Sequence, residues 1–308
     1  MYEIGSQINE VRTDGNLDIL KQDLDYFQDI GLCAVEIPPH GLDVIKNGRL
    51  DKKRLKAVKE ILSDHDFLYT VHAPNPLNLM DRDRPEIHLK VFHASLVFAQ
   101  EIGANIVVYH AGRYIPEEAF YANFECNRLI RTKEELLDFE AGLLAQLADE
   151  YPQVTICIEN ARPYRHHSPY CYGEDLKELT TQVVRIHRPN VRITLDCGHL
   201  FMAARYFCYD LIIAVKEAAP WISHCHVHDN FGDACFYNEK QQTHQISFGK
   251  GDSHMPVGWG DIPFKDILAA MRQHYKGCFI MELRTRYFKD TGESKKNIAT
   301  LVEPFKFI

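Results

Sequence analysis

Eight short apolar runs recur along the chain, and each is followed by a segment whose apolar residues repeat at helical spacing. The runs are rich in Val, Ile, Leu and Cys and are bounded by glycine, proline or polar residues, which is typical of buried strands. The pattern therefore predicts eight strands, at residues 3–8, 33–38, 67–72, 105–110, 154–159, 192–199, 222–229 and 278–284.

The segments between the runs predict helices at residues 16–30, 50–65, 84–102, 132–150, 173–187, 203–218, 263–275 and 293–302. Gly31 and Gly103 follow the first and third of these segments, as glycine often does at the C-terminus of a helix. Thr132 and Glu135 have the spacing of a capping box, which predicts that the fourth helix begins there.

Repeated strand–helix units, with strands that are apolar at nearly every position, predict a closed parallel sheet covered by helices. We expect an α/β protein, a (β/α)8 TIM barrel with a single domain over residues 1–308. An open doubly wound sheet is the alternative, but it would gather functional residues at one switch point. Here polar residues suited to chemistry follow six different runs, which favours the barrel.

Composition and charge restrict the kinds of molecule that we expect the protein to bind. Of the 308 residues, 45% are hydrophobic and 25% charged, as in ordinary globular proteins. The net charge of -8 disfavours nucleic acid as a partner, because such a surface repels polyphosphate. Met1 is not followed by a basic and apolar leader, and no apolar run reaches the length of about 18 residues that spans a membrane. We therefore expect a cytoplasmic protein that does not contact membranes.

Residues with metal-binding side chains lie at or near the ends of the predicted strands. In TIM barrels the carboxyl ends of the strands converge on one site, so these side chains are expected to meet although they are far apart in sequence. The candidates are His72, His110, Glu159, Asp196, His199, His226, Asp252, His254 and Glu282.

These candidates predict a divalent metal centre. A lone histidine near a strand end is usually a hydrogen-bonded core or surface residue, but carboxylates that end buried strands are costly unless they are paired or bound to metal. The nine cysteines contain no CxxC pair, so histidine and carboxylate ligands favour zinc or manganese. We expect Cys197 to pack in the core. His224, His226 and His228 share one face of the seventh strand, and His226 is level with the other strand ends.

Seven short motifs follow the predicted strands or lie in the loop after the seventh strand. They are His-Ala-Pro at 72–74, His-Ala-Gly at 110–112, Ile-Glu-Asn at 158–160, Leu-Asp-Cys-Gly-His at 195–199, His-Val-His-Asp-Asn at 226–230, Asp-Ser-His at 252–254 and Met-Glu-Leu at 281–283. In this order they resemble the motifs of the xylose isomerase-like barrel superfamily, over nearly the whole chain. That superfamily includes sugar and sugar-phosphate isomerases and epimerases, related dehydratases, and the endonuclease IV group of abasic-site DNA nucleases.

The resemblance implies how the candidate ligands are shared among metal ions. The single-metal sugar enzymes of the superfamily generally hold their ion with residues from the fifth to eighth strands that match Glu159, Asp196, His226 and Glu282. The further ligands of endonuclease IV, which holds three ions, match His72, His110, His199, Asp252 and His254. The resemblance therefore implies one to three divalent ions per chain.

Residues outside the ligand motifs depart from endonuclease IV. After Ile-Glu-Asn the nuclease has a turn of small residues that contains glycine, whereas this chain continues Ala161-Arg-Pro-Tyr-Arg-His-His. The loop at 231–251 and the segment after Arg284 also differ. Together with the acidic net charge, these departures make a role in DNA repair less favoured than the ligands alone suggest.

The resemblance favours a metal-dependent sugar or sugar-phosphate isomerase or epimerase. We expect proton transfer next to a carbonyl through a metal-stabilised enediolate, with Glu159 and Glu282 as the acid–base pair and His199 bonded to a substrate oxygen. The partner would be a small carbohydrate, and a homo-oligomer is an open alternative to a monomer. The alternative function is an endonuclease IV-type trinuclear zinc enzyme that hydrolyses phosphodiesters at abasic sites in DNA. A barrel that has lost catalysis is least favoured, because no ligand position is replaced.

Other charged residues near the strand ends have two interpretations each. Glu36 would lie either near the pocket wall or in a structural salt bridge. Arg113, Arg162, Lys250 and Arg284 would either hold a phosphate or carboxylate group or remain solvated.

Overall fold

The computed structural model describes residues 3–121 and 132–303, which contain a closed barrel of eight parallel strands surrounded by helices. The strands are β1 (Glu3–Gln7), β2 (Ala34–Ile37), β3 (Leu68–His72), β4 (Ile106–His110), β5 (Thr155–Glu159), β6 (Val191–Asp196), β7 (Ile222–Val227) and β8 (Cys278–Met281). Each strand pairs with its neighbours in the chain, and β8 closes the ring against β1. The predicted (β/α)8 TIM barrel is confirmed.

Strand residues are buried on both faces of the sheet. In β5, Ile156, Cys157 and Ile158 are all fully buried, and Arg192 is the one residue of β6 that is partly exposed. This happens because the helices cover the outer face while side chains of alternate strands fill the barrel. The near-continuous apolar runs of the sequence are the direct consequence.

Ten α-helices lie in the described part of the chain. They are α1 (Glu10–Thr13), α2 (Leu17–Asp29), α3 (Lys52–Ser63), α4 (Pro85–Ile102), α5 (Lys133–Glu150), α6 (Leu176–Ile186), α7 (Cys197–Phe207), α8 (Leu211–Ala218), α9 (Phe264–Met271) and α10 (Thr291–Val302). The capping box of Thr132 and Glu135 is confirmed at the start of α5. Among the described helices, none combines the length and apolar character needed to cross a bilayer.

The segment after β6 differs from its prediction. The strand predicted at 192–199 ends at Asp196, because the Asp196 side chain accepts a hydrogen bond from the backbone N–H of His199 (2.6 Å) and starts α7. The single helix predicted at 203–218 is therefore wrong. Cys208, in the left-handed region with φ of 59°, ends α7, and Asp210 caps the start of α8. His199 consequently projects from the first turn of a helix.

A small antiparallel hairpin, which the pattern does not predict, joins Ile45–Lys46 to Arg49–Leu50. Its strands are too short to show an alternation of apolar and polar residues. The turn between them is Asn47-Gly48, and both residues have positive φ (49° and 70°), as a two-residue hairpin turn of this kind requires. The hairpin lies in the loop between β2 and α3.

The register of the strands places the candidate ligands at the strand ends at the same level in the barrel. Across the sheet His110 is paired with Glu159, and Asp196 with His226. Asn160 then joins β5 to β6, because its side chain accepts from the backbone N–H of Asp196 (2.7 Å) and donates to the carbonyl of Asp196 (3.0 Å).

The long loop after β7 folds back over the same end of the barrel. Asp229 and Met255 exchange two backbone hydrogen bonds, of 2.8 and 3.1 Å. The backbone N–H of Arg284, just after β8, donates to the carbonyl of His254 (3.2 Å). These bonds hold Asp252 and His254 beside the strand ends.

Candidate metal centre

All the candidate ligands lie at the carboxyl end of the barrel, around a cavity of about 340 Å³. Those that line the cavity are His72, His110, His199, Asp252, His254 and Glu282. Glu159, Asp196 and His226 are deeper, with at most 1% of their surface exposed. The structure thus brings together the side chains that the strand ends predicted.

We call Glu159, Asp196, His226 and Glu282 the central cluster. Each offers one nitrogen or oxygen atom, and these atoms all lie within 4.8 Å of one another. Nδ1 of His226 is 3.4 Å from Oε1 of Glu159 and 3.5 Å from Oε1 of Glu282. Four consecutive strands therefore point one potential ligand each at the same small volume.

The central cluster fits a divalent cation. Both carboxylate oxygens of Glu159 and both ring nitrogens of His226 are buried and make no hydrogen bond of acceptable geometry. Within the described residues, the three carboxylates of the cluster form ion pairs with histidines and with no lysine or arginine. Three carboxylates buried in one small volume repel one another and are costly with imidazoles as their ion-pair partners, and a bound cation would lower that cost.

The two glutamates of the central cluster differ in their electrostatic surroundings. Burial opposes ionisation of Glu159, but the imidazoles of His110 and His226 outweigh it and hold its pKa well below the usual range. Burial raises the pKa of Glu282, and the neighbouring charge of Glu159 raises it further against the opposing effect of His226. The pKa values of two carboxyl groups at one site are thus shifted in opposite directions.

Glu36 does not line the cavity, although its carboxylate lies within 4.8 Å of ligand atoms of His72, His226 and Glu282. Its Oε1 is 3.0 Å from Nε2 of His226, and its Oε2 accepts hydrogen bonds from Thr70 Oγ1 (2.9 Å) and from Nε2 of His224 (2.9 Å). Of its two interpretations, the structure supports the buried ion pair. A carboxylate behind an imidazole fixes the orientation of the ring, so that Nδ1 of His226 faces the central cluster.

His72 and His110 form a second group around Glu159. The Nδ1–H of His72 donates to the carbonyl of Ala73 (2.8 Å), and its Nε2 lies 3.4 Å from Oε2 of Glu159. Nε2 of His110 is 3.0 Å from the same oxygen, while its Nδ1 is 3.5 Å from Nη2 of Arg113. Burial, together with the positive groups nearby, lowers the pKa of His110 to about 4.

We call His199, His228, Asp252 and His254 the outer cluster, and its ligand atoms also lie within 4.8 Å of one another. Oδ2 of Asp252 is 3.1 Å from Nε2 of His199 and 2.8 Å from Nε2 of His254. The Nδ1–H of His199 donates to the carbonyl of Asn160 (2.9 Å), which fixes the direction of its Nε2. The Nδ1–H of His254 likewise donates to the carbonyl of Glu282 (2.8 Å), just after β8.

His228 belongs to the outer cluster, although the sequence analysis favoured His226 alone. Its Nε2 is 3.0 Å from Oδ2 of Asp196 and 3.7 Å from Oδ1 of Asp252, so it lies between the two clusters. The signal in the sequence was its position two residues after His226 on the same strand face. Gly198 makes room for the ring, because a Cβ at position 198 would be 2.1 Å from Cε1 of His228.

Arg162 enters the outer cluster from the loop after β5. Its Nη1 is 3.1 Å from Nε2 of His199 and 3.4 Å from Oδ2 of Asp252. Its Nε donates to the hydroxyl of Tyr164 (2.9 Å). Most of the side chain is buried, with 19% exposed, so Arg162 is not a solvated charge.

The other basic residues differ in their surroundings. Arg284 lines the cavity, and its Nη2 donates to the carbonyls of Lys240 (3.0 Å) and Asp252 (2.7 Å). Arg113 is buried, and its Nη2 donates to a backbone carbonyl (2.6 Å). Lys250 lies 6.0 Å from the ring centre of Phe248 and does not line the cavity.

Comparison with known proteins agrees with this architecture. A sequence profile described as the xylose isomerase-like TIM barrel matches residues 24–303. No curated protein matches the sequence. Among solved structures, a D-tagatose 3-epimerase-like protein superposes with a TM-score of 0.69 at 21% identity and covers 98% of both chains.

Two further structures have the same fold at lower identity. An L-ribulose 3-epimerase superposes with a TM-score of 0.69 at 13% identity, covering 99% of this chain and 96% of its own. A 3-keto-D-glucoside 4-epimerase from E. coli superposes with a TM-score of 0.66 at 16% identity, covering 98% of this chain and 99% of its own. At these identities the likeness is one of fold.

Proposed function

The chain belongs to the xylose isomerase-like TIM barrel family, and on that premise we propose that it is a metal-dependent isomerase or epimerase of a sugar or sugar phosphate. The observation that carries the proposal is the central cluster. Its four ligand atoms come from consecutive strands, its carboxylates pair with histidines and with no lysine or arginine of the described residues, and it lies next to a cavity open to solvent. The solved epimerases that share the fold support the choice of reaction class.

Zinc or manganese at the central cluster would supply Lewis-acid stabilisation of negative charge on a substrate oxygen. Glu159 and Glu282 act as the acid–base pair of the proposed reaction. Both approach the same nitrogen of His226 from strands that are separated by β6 and β7. For a substrate carbon held beside this cluster, one carboxyl group would donate a proton and the other would accept one.

The cavity suits a small polar substrate. Its volume of about 340 Å³ is at the lower end of the range for small-molecule sites. The side chains of Gln7, Asn9 and Asn75 line it together with His199, so hydroxyl groups of a carbohydrate would find donors and acceptors. Both ring nitrogens of His199 already have partners, the carbonyl of Asn160 at Nδ1 and Asp252 and Arg162 at Nε2, so a substrate oxygen would have to displace one of them to take the predicted hydrogen bond.

A second candidate is a phosphodiesterase with three ions that acts on abasic sites in DNA. The observation in its favour is that Glu159 belongs both to the central cluster and to the group with His72 and His110, with the outer cluster close by. Against it stand the net charge of -8 and the position of Arg162 within the outer cluster.

Proton exchange distinguishes the two candidates. The zinc- and manganese-loaded protein is incubated in deuterated water with a panel of ketopentoses, ketohexoses and their phosphates, and deuterium incorporation is followed by NMR. Exchange next to the carbonyl, abolished by a chelator and by Glu282→Gln, is the expected result. The surface variant Glu60→Gln is the matched control and should retain full exchange.

The nuclease candidate makes the opposite prediction in the same preparations. A duplex that contains one abasic site is incubated with the metal-loaded protein, and nicking is measured on a denaturing gel. Nicking that depends on Glu282, together with no exchange on any sugar of the panel, would overturn the proposed isomerase or epimerase.

A further inference from the structure

The outer cluster has the construction of a zinc site. It offers three imidazoles and one carboxylate, with ligand atoms within 4.8 Å of one another. His199 and His254 each donate their Nδ1–H to a backbone carbonyl, at 2.9 and 2.8 Å, so that Nε2 points into the cluster. Metal-binding histidines are typically held in this way.

A guanidinium group already contacts two of the atoms that would bind an ion in the outer cluster. Nη1 of Arg162 lies within 3.4 Å of both Nε2 of His199 and Oδ2 of Asp252. Zinc would bind these same two atoms at about 2.0–2.2 Å, so the ion and the guanidinium compete for one set of ligand atoms. The two cations would also repel each other at such short range.

Arg162 is held in place from its other side. Its Nε donates to the hydroxyl of Tyr164, whose side chain is 1% exposed, and its own carbonyl accepts a hydrogen bond from the hydroxyl of Tyr170 (3.1 Å). Leaving the outer cluster would therefore break the bond to Tyr164 and uncover the carboxylate of Asp252. The guanidinium is therefore hydrogen-bonded on both sides.

The charges of the two clusters also favour Arg162 over a divalent ion in the outer cluster. The outer cluster contains one carboxylate, Asp252, and Arg162 supplies one positive charge. The central cluster contains three carboxylates and has no arginine or lysine among its described ion-pair partners. We propose that Arg162 is the resident cation of the outer cluster, which excludes a divalent ion, and that removal of its guanidinium converts the cluster into a zinc site. This holds whichever reaction the central cluster performs.

The test counts zinc ions in purified protein by elemental analysis after gel filtration and measures binding by titration calorimetry. Arg162→Ala and Arg162→Gln should each hold one more zinc ion per chain than the wild type. Arg165→Ala is the matched control, because Arg165 lies on the same loop and its Nε donates to the carbonyl of Ala234, away from the cluster. It should hold the wild-type number.

A second substitution identifies where the extra ion binds. In the Arg162→Ala background, Asp252→Asn should return the zinc count to the wild-type value, whereas Asp252→Asn alone should leave that value unchanged. Loss of an ion from the single variant Asp252→Asn would overturn the proposal, since the wild type would then already hold zinc there. Folded Arg162 variants, checked by circular dichroism, that gain no ion would overturn it as well.

Discussion

The central cluster and the outer cluster lie at the same end of the barrel and consist of the same kinds of ligand atom, but their charged neighbours differ. The central cluster has three buried carboxylates and no arginine or lysine partner in the described structure. The outer cluster has one carboxylate and the guanidinium of Arg162. Two clusters built from the same kinds of ligand atom thus differ in the charged side chains beside them.

The elements that carry the two clusters explain the difference. The ligands of the central cluster lie at the ends of adjacent strands. The register of these strands therefore holds their carboxylates close together although the carboxylates repel one another. Outer ligands come from the first turn of α7, from the residue after β7 and from a loop. A loop such as the one after β5 is able to place a basic side chain among them, and this chain places Arg162 there.

The largest expected effect is the loss of activity in Glu159→Gln. Removal of this carboxylate takes away both a ligand and half of the proposed acid–base pair, so kcat/KM should fall by at least about 10³-fold. Steady-state kinetics with elemental analysis check this. Asp252→Asn is the comparison variant and should retain the metal of the central cluster. Equal losses in both variants would mean that the two clusters do not differ as we describe.

Removal of metal should destabilise the protein through the central cluster. Zinc or manganese at 100 times its Kd should add about 2.7 kcal/mol to the free energy of unfolding, which for a chain of 308 residues is a rise in Tm of about 4 °C. Thermal melts with and without a chelator measure the shift. Glu282→Gln should abolish most of it, and Asp252→Asn should preserve it. A shift that instead depends on Asp252 would place the stabilising ion in the outer cluster.

Glu36→Gln should weaken metal binding without removing any ligand. The amide lacks the charge that orients His226, so the Kd of the central ion should rise by about 10–100-fold. Calorimetric titration of the metal-free protein measures the change. Thr70→Val removes one hydrogen bond to Glu36 and should give a smaller rise. An unchanged Kd in folded Glu36→Gln would show that this carboxylate does not act through the imidazole.

The smallest expected effect belongs to His254→Gln. In the proposed arrangement His254 orients Asp252 and holds no ion, so its loss removes one hydrogen bond, worth about 1 kcal/mol or a several-fold change in kcat/KM. The number of bound ions should stay at the wild-type value. A loss of one ion, or a fall in activity as large as that of Glu159→Gln, would contradict the assignment of Arg162 as the cation of this cluster.

Local patterns in the sequence were enough to predict the barrel and most of its candidate site. The apolar runs placed the strands, and the Thr132–Glu135 capping box placed the start of α5. The rule that parallel strand ends converge then selected His72, His110, Glu159, Asp196, His226 and Glu282. The break between α7 and α8 was missed, because the left-handed Cys208 carries no glycine or asparagine signal.

Contacts between distant residues required the tertiary structure. The sequence left Glu36 and Arg162 with two interpretations each, and it did not include His228 among the candidate ligands. Glu36 meets His226 across 190 positions and Arg162 meets Asp252 across 90, so no local spacing encodes either contact. The periodicity of apolar residues and the capping motifs are local properties, so the elements and the residues at their ends follow from the sequence alone. Only the closed barrel and its folded loops decided which charge lies beside which ligand, because that depends on distances between parts of the chain that meet only after folding.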